Sequence, residues 1–173
     1  MIFTLIGMPG SGKSCLGRSL ASKTKIKLID SDKLIEQRYG KRLQVLIDEL
    51  GVDEFRRIEE EVLLSIHSDS DAILSTGGSA VYSERAMEYL KTQGKIIYLY
   101  CSFKTIEGRL GDYSKRGVVL KPGQDLLGLY EERIPLYEKH SDIVLNCDGN
   151  AYPRYQANAI KIILNYINKK NAD

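Results

Sequence analysis

Short runs of mostly apolar residues recur along the chain at Ile2–Ile6, Ile26–Ile29, Ala72–Ser75, Lys95–Tyr100 and Ile143–Asn146. Each has the length of a strand, and the segments between them carry helical periodicity. From Val52 to His67, for example, Phe55, Ile58, Val62 and Ile66 fall near one stripe while Arg57, Glu60 and Glu61 lie off it, as an amphipathic helix requires. Lys13–Lys23, Ser83–Gln93 and Pro153–Asn168 read as helices too, and a further one contains Leu34, Ile35 and Arg38. Strands alternating with helices predict an α/β fold, a five-stranded parallel sheet covered by helices on both faces. No repeat, low-complexity tract or linker interrupts the pattern, so residues 1–173 are expected to form a single domain.

One stretch resists this pattern. Gly111–Gln124, GDYSKRGVVLKPGQ, has three glycines, a proline and three basic residues between two helix-like segments. A plain surface loop satisfies such a composition. So does a mobile lid of about 111–124 that brings cations over phosphates, and a loop this long in a compact domain favours the lid.

Composition narrows the function by exclusion. The 173 residues are 43% hydrophobic and 28% charged with a net charge of +2, ordinary values for a globular chain. No Lys/Arg block tracks a nucleic-acid backbone, Lys169-Lys170 being only a pair, so no nucleic-acid partner is expected. No stretch approaches the ~20 apolar residues of a membrane span, and the first residues lack the pattern of a secretory leader. Cys15, Cys101 and Cys147 show neither CxxC nor zinc-ligand spacing, which suits a reducing, cytoplasmic compartment. His67 and His140 have no partner at catalytic spacing and are expected at the surface or its boundary.

The chemistry is concentrated in Gly7-Met8-Pro9-Gly10-Ser11-Gly12-Lys13-Ser14, which matches GxxxxGK[ST] at every fixed position. It follows an apolar strand and opens a helix, the context a phosphate-binding loop requires. Glycines let successive backbone N–H groups turn toward phosphate oxygens, and the helix N-terminus adds its positive end. Gly10, Ser11 and Gly12 would form the cradle, Lys13 would reach the β- and γ-phosphates, and Ser14 would ligate Mg²⁺. Cys15 follows directly, adjoining the nucleotide residues, with packing as its expected role. The loop alone is shared by GTPases, motors and small-molecule kinases. No guanine-reading NKxD sequence is present, and the length suits a compact kinase.

The second strand leads into Asp30-Ser31-Asp32, which puts two carboxylates at the C-terminal edge of the sheet, where ligands bind. Ser31 or Asp32 could equally cap the helix that follows. Taken with the phosphate loop, the order and spacing of further motifs make the chain resemble the shikimate kinase family, within the nucleoside monophosphate kinase-like group. The family's DxD is matched by Asp30-Ser31-Asp32, its FRxxE by Phe55-Arg56-Arg57-Ile58-Glu59, and its RxPLY by Arg133-Ile134-Pro135-Leu136-Tyr137. Its GGG turn is matched in part by Gly77-Gly78-Ser79.

The resemblance implies an ATP-dependent kinase with Mg²⁺ as cofactor, acting on a small carboxylate-bearing alcohol, most simply shikimate. It assigns Asp30 to the metal, Asp32 to the substrate hydroxyls as acceptor and base, and Arg56 and Arg133 to the carboxylate, for which guanidinium forks are suited. Read without the family, Arg56 could pair with Glu60, and Arg133 with Glu132 or Glu138. Gly77 and Gly78 would face substrate or γ-phosphate with bare N–H groups. The Asp expected after the third strand of many P-loop proteins is absent, which leaves the metal to Asp30 and Ser14. In the lid, Arg116 falls where the family has an arginine on the transferring phosphate, and Arg109 where it has one near the nucleotide. Two departures touch the acceptor side: Arg116-Gly117-Val118 replaces Arg-Pro-Leu, and Ser79 replaces the third glycine. They leave homoserine, gluconate or another small alcohol open as the acceptor. A nucleotide-binding regulator without turnover is the reading of a different class, opposed by intact Lys13, Ser14, Asp30, Asp32 and Arg116. A monomer is expected.

Overall fold

A computed structural model describes residues 1–111, 118, 120, 121, 123–148 and 152–170. Five strands, β1 (Ile2–Ile6), β2 (Lys27–Asp30), β3 (Ala72–Ser75), β4 (Gly94–Tyr100) and β5 (Ile143–Asn146), form one sheet in the order β2-β3-β1-β4-β5. Every pairing is parallel. β1 and β3 are buried at every residue, as strands covered on both faces must be. The expected α/β fold is therefore present, with β2 starting one residue later than the apolar run suggested.

Among the described residues, eight helices connect and cover the strands: α1 (Lys13–Thr24), α2 (Ser31–Tyr39), α3 (Leu43–Leu50), α4 (Val52–Ser65), α5 (Glu84–Gln93), α6 (Phe103–Leu110), α7 (Leu126–His140) and α8 (Tyr152–Lys170). A short 3-10 turn occupies Ala80–Tyr82. α1 packs on α8, whereas α4 and α5 pack together and the 3-10 turn touches α4, α5 and α7. Local chemistry fixes several ends. Ser83 accepts a hydrogen bond from the N–H of Ala86 at 3.0 Å and caps α5, and Asp125 accepts from Gly128 at 2.7 Å and caps α7. α4 stops at Ser65 rather than His67, because Ile66 turns to extended backbone while staying buried. α3 was not expected, although Leu43, Leu46, Ile47 and Leu50 recur at helical spacing with Gln44, Asp48 and Glu49 off that stripe.

Two cores result. The main one surrounds the sheet. A satellite made of Ile35, Leu46, Ile47, Phe55, Ile58 and Val62 lies under α2, α3 and α4. Because β1 is central and β2 lies beyond β3, the segments that follow β1, β2 and β3 all emerge at one sheet edge. Thr76 ties that edge together: its N–H and its hydroxyl both donate to the carbonyl of Leu5, at 3.3 and 3.0 Å.

β1 and β4 meet most closely at Gly94, which is in register with Ile2. A β-carbon there would lie 2.7 Å from the Ile2 nitrogen and against its carbonyl, with backbone rather than a yielding side chain in the way. Gly94→Ala is thus expected to destabilise the protein by on the order of 3 kcal/mol, seen as an earlier thermal unfolding transition by circular dichroism. An unchanged transition would show that the central strands can separate at little cost.

Candidate active site

The loop between β1 and α1 has the predicted shape. Gly10 and Gly12 take positive φ values of 79° and 99°, a conformation side-chain-bearing residues adopt only with strain. α1 has no side-chain cap and no acidic residue in its first turn, so its N-terminal N–H groups and positive end face the cleft. Lys13, a loop-end lysine, is buried rather than solvent-facing. Its Nζ donates to the carbonyls of Gly7 at 2.7 Å and Met8 at 3.0 Å. Burial lowers its pKa to about 8 although Asp32 pulls the other way. Ser14 Oγ lies 3.5 Å from Ser75 Oγ at the end of β3, where many P-loop proteins carry the missing Asp. Ser75 is in register with Asp30 on β2, which brings Ser14, Ser75 and Asp30 to one corner of the cleft.

The carboxylates occupy the next layer. Asp30 rather than Ser31 or Asp32 caps α2, accepting from Lys33 N at 3.3 Å. Ser31 is fully buried and accepts from the N–H of Gly77 at 3.2 Å. Gly77 therefore does not offer a bare N–H to a ligand, contrary to expectation. Its glycine identity is steric: a β-carbon would strike Glu59 Oε1 and come within 2.8 Å of Asp32 Oδ1. At Gly78 a β-carbon would lie 2.8 Å from Pro9 Cδ and 3.0 Å from Arg133 Nη1. The turn is thus the floor on which two carboxylates, a guanidinium and the phosphate loop converge.

Glu59 is the residue that sequence reasoning overlooked. It was quoted only as the last letter of a motif, yet it is 2% exposed and its Oε1 has no hydrogen-bond partner. Burial raises its pKa to about 7, against a hydrogen bond from Ser79 that favours the charged form, with Asp32 adding to the rise. Asp32 is likewise raised to about 6, first by burial and then by Asp30, while Lys13 opposes. The signal in the sequence was the three-residue spacing from Arg56, which puts both side chains on one helix face. Ser79, the departure from the glycine turn, acquires a role as the hydroxyl that holds Glu59.

The arginines stand beyond this layer. Arg133 and Tyr137, four residues apart on α7, are both buried. Tyr137 donates to the carbonyl of Gly78 at 2.7 Å and stacks on Tyr98 with 5.1 Å between ring centroids. Arg133 Nε donates to the Tyr82 hydroxyl at 3.3 Å. Arg56 is half-buried, its Nε has no hydrogen-bond partner, and its guanidinium carbon sits 3.8 Å above the Tyr82 ring centre. Among the described residues, two of the carboxylates weighed as alternative partners turn elsewhere: Glu60 faces Arg85 and Ser83, and Glu132 faces Lys121 and Gln124.

Two cavities flank the glycine turn. One of about 300 Å³ is lined by Gly10, Gly12, Lys13, Ser14, Asp32 and Gly78, and one of about 270 Å³ by Arg56, Glu59, Ser79 and Tyr82 among others. A larger groove of about 640 Å³ lies elsewhere, on the outer face of α4, where Arg38 and Arg85 already face Glu61 and Glu60. Arg109 on α6 joins the nucleotide side, its guanidinium 3.5 and 3.4 Å from the carbonyls of Gly10 and Ser11. Cys15 lines the first cavity and is exposed, not packed in the core as expected. His140 is buried rather than superficial, with Nε2 3.6 Å from Glu84, whereas exposed His67 fits its expectation. Arg116 and most of the expected lid lie outside the described residues. Of that stretch, Val118 and Leu120 pack on the main core, and Lys121 and Gln124 bond Glu132 of α7.

Comparison with known proteins accords with this arrangement. The family model described as shikimate kinase matches residues 9–166. A shikimate kinase of Haemophilus influenzae is 37% identical over 147 residues, covering 83% of this chain and 82% of its own. One from Mannheimia succiniciproducens is 34% identical over 167 residues, 94% of each chain. Among solved structures, the shikimate kinase of Acinetobacter baumannii in complex with shikimate superposes with a TM-score of 0.85 at 28% identity, covering 95% of this chain and 93% of its own.

Folding raises the pKa of Glu59 from 4.5 to about 7 and that of Asp32 from 3.8 to about 6. A raised carboxyl pKa means that the native state prefers the proton, so this stabilisation is complete below about pH 4 and fades as pH climbs through both folded values. Glu59→Gln is neutral throughout and should unfold later than the parent at about pH 8, by up to roughly 3 kcal/mol, with the gap closing toward about pH 4. Urea titrations of the unliganded proteins at both pH values measure this. Parallel pH profiles for parent and variant would mean that Glu59 is solvated.

Proposed function

The chain belongs to the shikimate kinase family, and on that premise we propose that it moves the γ-phosphoryl group of ATP onto a hydroxyl of shikimate, forming shikimate 3-phosphate. The observation that carries this reading is the pair of cavities on either side of Gly77-Gly78-Ser79, one with a phosphate loop and a buried lysine, the other with a guanidinium beside a buried carboxyl. Asp32 lines the phosphate-loop cavity, and its Oδ1 is one of the groups that crowd Gly77 at the turn. There it would orient the attacking hydroxyl and accept its proton, a role open to it above its pKa of about 6.

Lys13 would leave the carbonyls of Gly7 and Met8 for the β- and γ-phosphates, exchanging two neutral acceptors for anionic oxygens. Arg56 and Arg133 would hold the carboxylate, Arg109 would sit by the nucleotide, and Arg116 would meet charge on the moving phosphoryl group. The residues present fit Mg²⁺: Ser14 and Asp30 offer hard oxygen donors at one corner. Among the described residues no cluster of three or more His, Cys, Asp or Glu could hold a metal alone, which suits an ion bound mainly through nucleotide phosphates. When bound, Mg²⁺ would supply charge neutralisation to the nucleotide phosphates.

The whole chain would work as one kinase unit with 111–124 as its lid. No described helix is long and apolar enough to cross a membrane, and all three cysteines are free, in keeping with work in the cytoplasm. Exposed large apolar side chains are scattered over Val45, Leu50, Leu127, Val144 and Leu164, as suits a monomer.

A coupled assay of ADP release over shikimate, homoserine and gluconate tests the acceptor. Turnover confined to shikimate is expected; preference for another alcohol, or none at all, would overturn the reading. In the same assay Lys13→Met should lower kcat by on the order of 10²-fold or more, because a phosphate-facing cation is lost while the aliphatic stem is kept. Arg116→Ala should cut kcat by a similar order with little change in ATP affinity. Normal turnover in both would remove them from the chemistry.

A further inference from the structure

Tyr82 belongs to none of the motifs that mark the site, yet it touches both arginines. It ends the 3-10 turn that follows Gly77-Gly78-Ser79, and this turn packs against α4, which carries Arg56, and α7, which carries Arg133. The guanidinium carbons lie over its ring at 3.8 Å for Arg56 and 5.2 Å for Arg133. Its hydroxyl accepts from Arg133 Nε at 3.3 Å. The ring also lines the cavity shared by Arg56, Glu59 and Ser79.

We propose that Tyr82 is the positioning residue of the acceptor site, the platform that sets Arg56 and Arg133 as a matched pair of forks for a carboxylate. The physical need is plain. Two guanidiniums drawn toward one small anion repel each other, and an aromatic face that attracts both offsets this before the anion arrives. Contact at 3.8 Å also restrains the Arg56 head group, whose Nε has no hydrogen-bond partner. Arg133 is restrained through a different atom, the hydroxyl. The ring and the hydroxyl therefore do separable work. Tyr82 does not reach the phosphate loop's cavity, so its effect falls on acceptor affinity and not on the transfer step. This inference rests on the assignment of Arg56 and Arg133 to the carboxylate.

The test compares Tyr82→Leu, Tyr82→Phe and Arg56→Ala in steady state with shikimate and with its carboxamide, which lacks the anion. Tyr82→Leu should raise KM for shikimate about tenfold, the order expected when a partly desolvated cation–π contact is lost. Its kcat and KM for ATP should stay close to the parent values. Tyr82→Phe keeps the platform and should recover most of the affinity, leaving a rise of about two- to threefold for the lost Arg133 bond. With the carboxamide, parent and Tyr82 variants should share one KM. A penalty that persists on the carboxamide, a fall in kcat instead of a rise in KM, or parental KM in Tyr82→Leu would each overturn the proposal. If Tyr82→Leu does not fold and Tyr82→Phe matches the parent, the tyrosine is a structural part of the turn and the proposal fails. Arg56→Ala separates the premise: an unchanged KM for shikimate there refutes the carboxylate assignment itself. A raised KM there with parental Tyr82 variants refutes only the role of Tyr82.

Discussion

The bare backbone of Gly77 and Gly78 is the constraint on which the site depends. Neither residue needs a glycine for its φ value; each needs one because nothing larger than hydrogen fits between the groups that converge there. Asp32 and Glu59 press on the first, Pro9 and Arg133 on the second. Around this turn Glu59, Arg133 and Lys13 are buried and Asp32 is partly buried, and burial is the leading cause of the pKa shifts of Lys13, Asp32 and Glu59. Burial outweighs the nearby opposite charges, so both carboxyls are held toward their neutral forms.

The parts of this arrangement legible in the sequence were those carried by a strict local pattern. The strand runs and the GxxxxGK[ST] loop predicted the sheet and the cradle, because a buried parallel strand must be apolar throughout and a phosphate loop must be glycine-rich. Asp32, Arg56, Arg133 and Arg109 were legible through motif spacing, and the structure places them around the cleft. What stayed hidden depends on packing between elements distant in sequence. Nothing local says that Lys13 folds back on Gly7 and Met8, that Ser31 occupies the Gly77 amide, or that Glu59 is buried against Ser79. Tyr82 was invisible for the same reason, since its partners lie on α4 and α7. α3 is short, only two turns, but its stripe of Leu43, Leu46, Ile47 and Leu50 was a helical signal that could have been read.

The departures from the family pattern read differently once their surroundings are known. Ser79 is not a damaged glycine turn. Its backbone is in the ordinary right-handed region, with φ −89° and ψ −8°, so no glycine is required there, and its hydroxyl supports the carboxyl it faces. The substitution puts a hydroxyl beside a buried acid in the cavity that both residues line.

The satellite core beneath α2, α3 and α4 separates responsibilities within the chain. Ile35, Leu46, Ile47, Phe55, Ile58 and Val62 bury one another apart from the sheet, and the helices they anchor carry Asp32, Arg56 and Glu59. Drift in those six side chains would reshape the acceptor wall while the strand beneath the phosphate loop kept its packing. In evolutionary terms, such a chain holds its energy currency fixed and leaves its choice of alcohol free to wander.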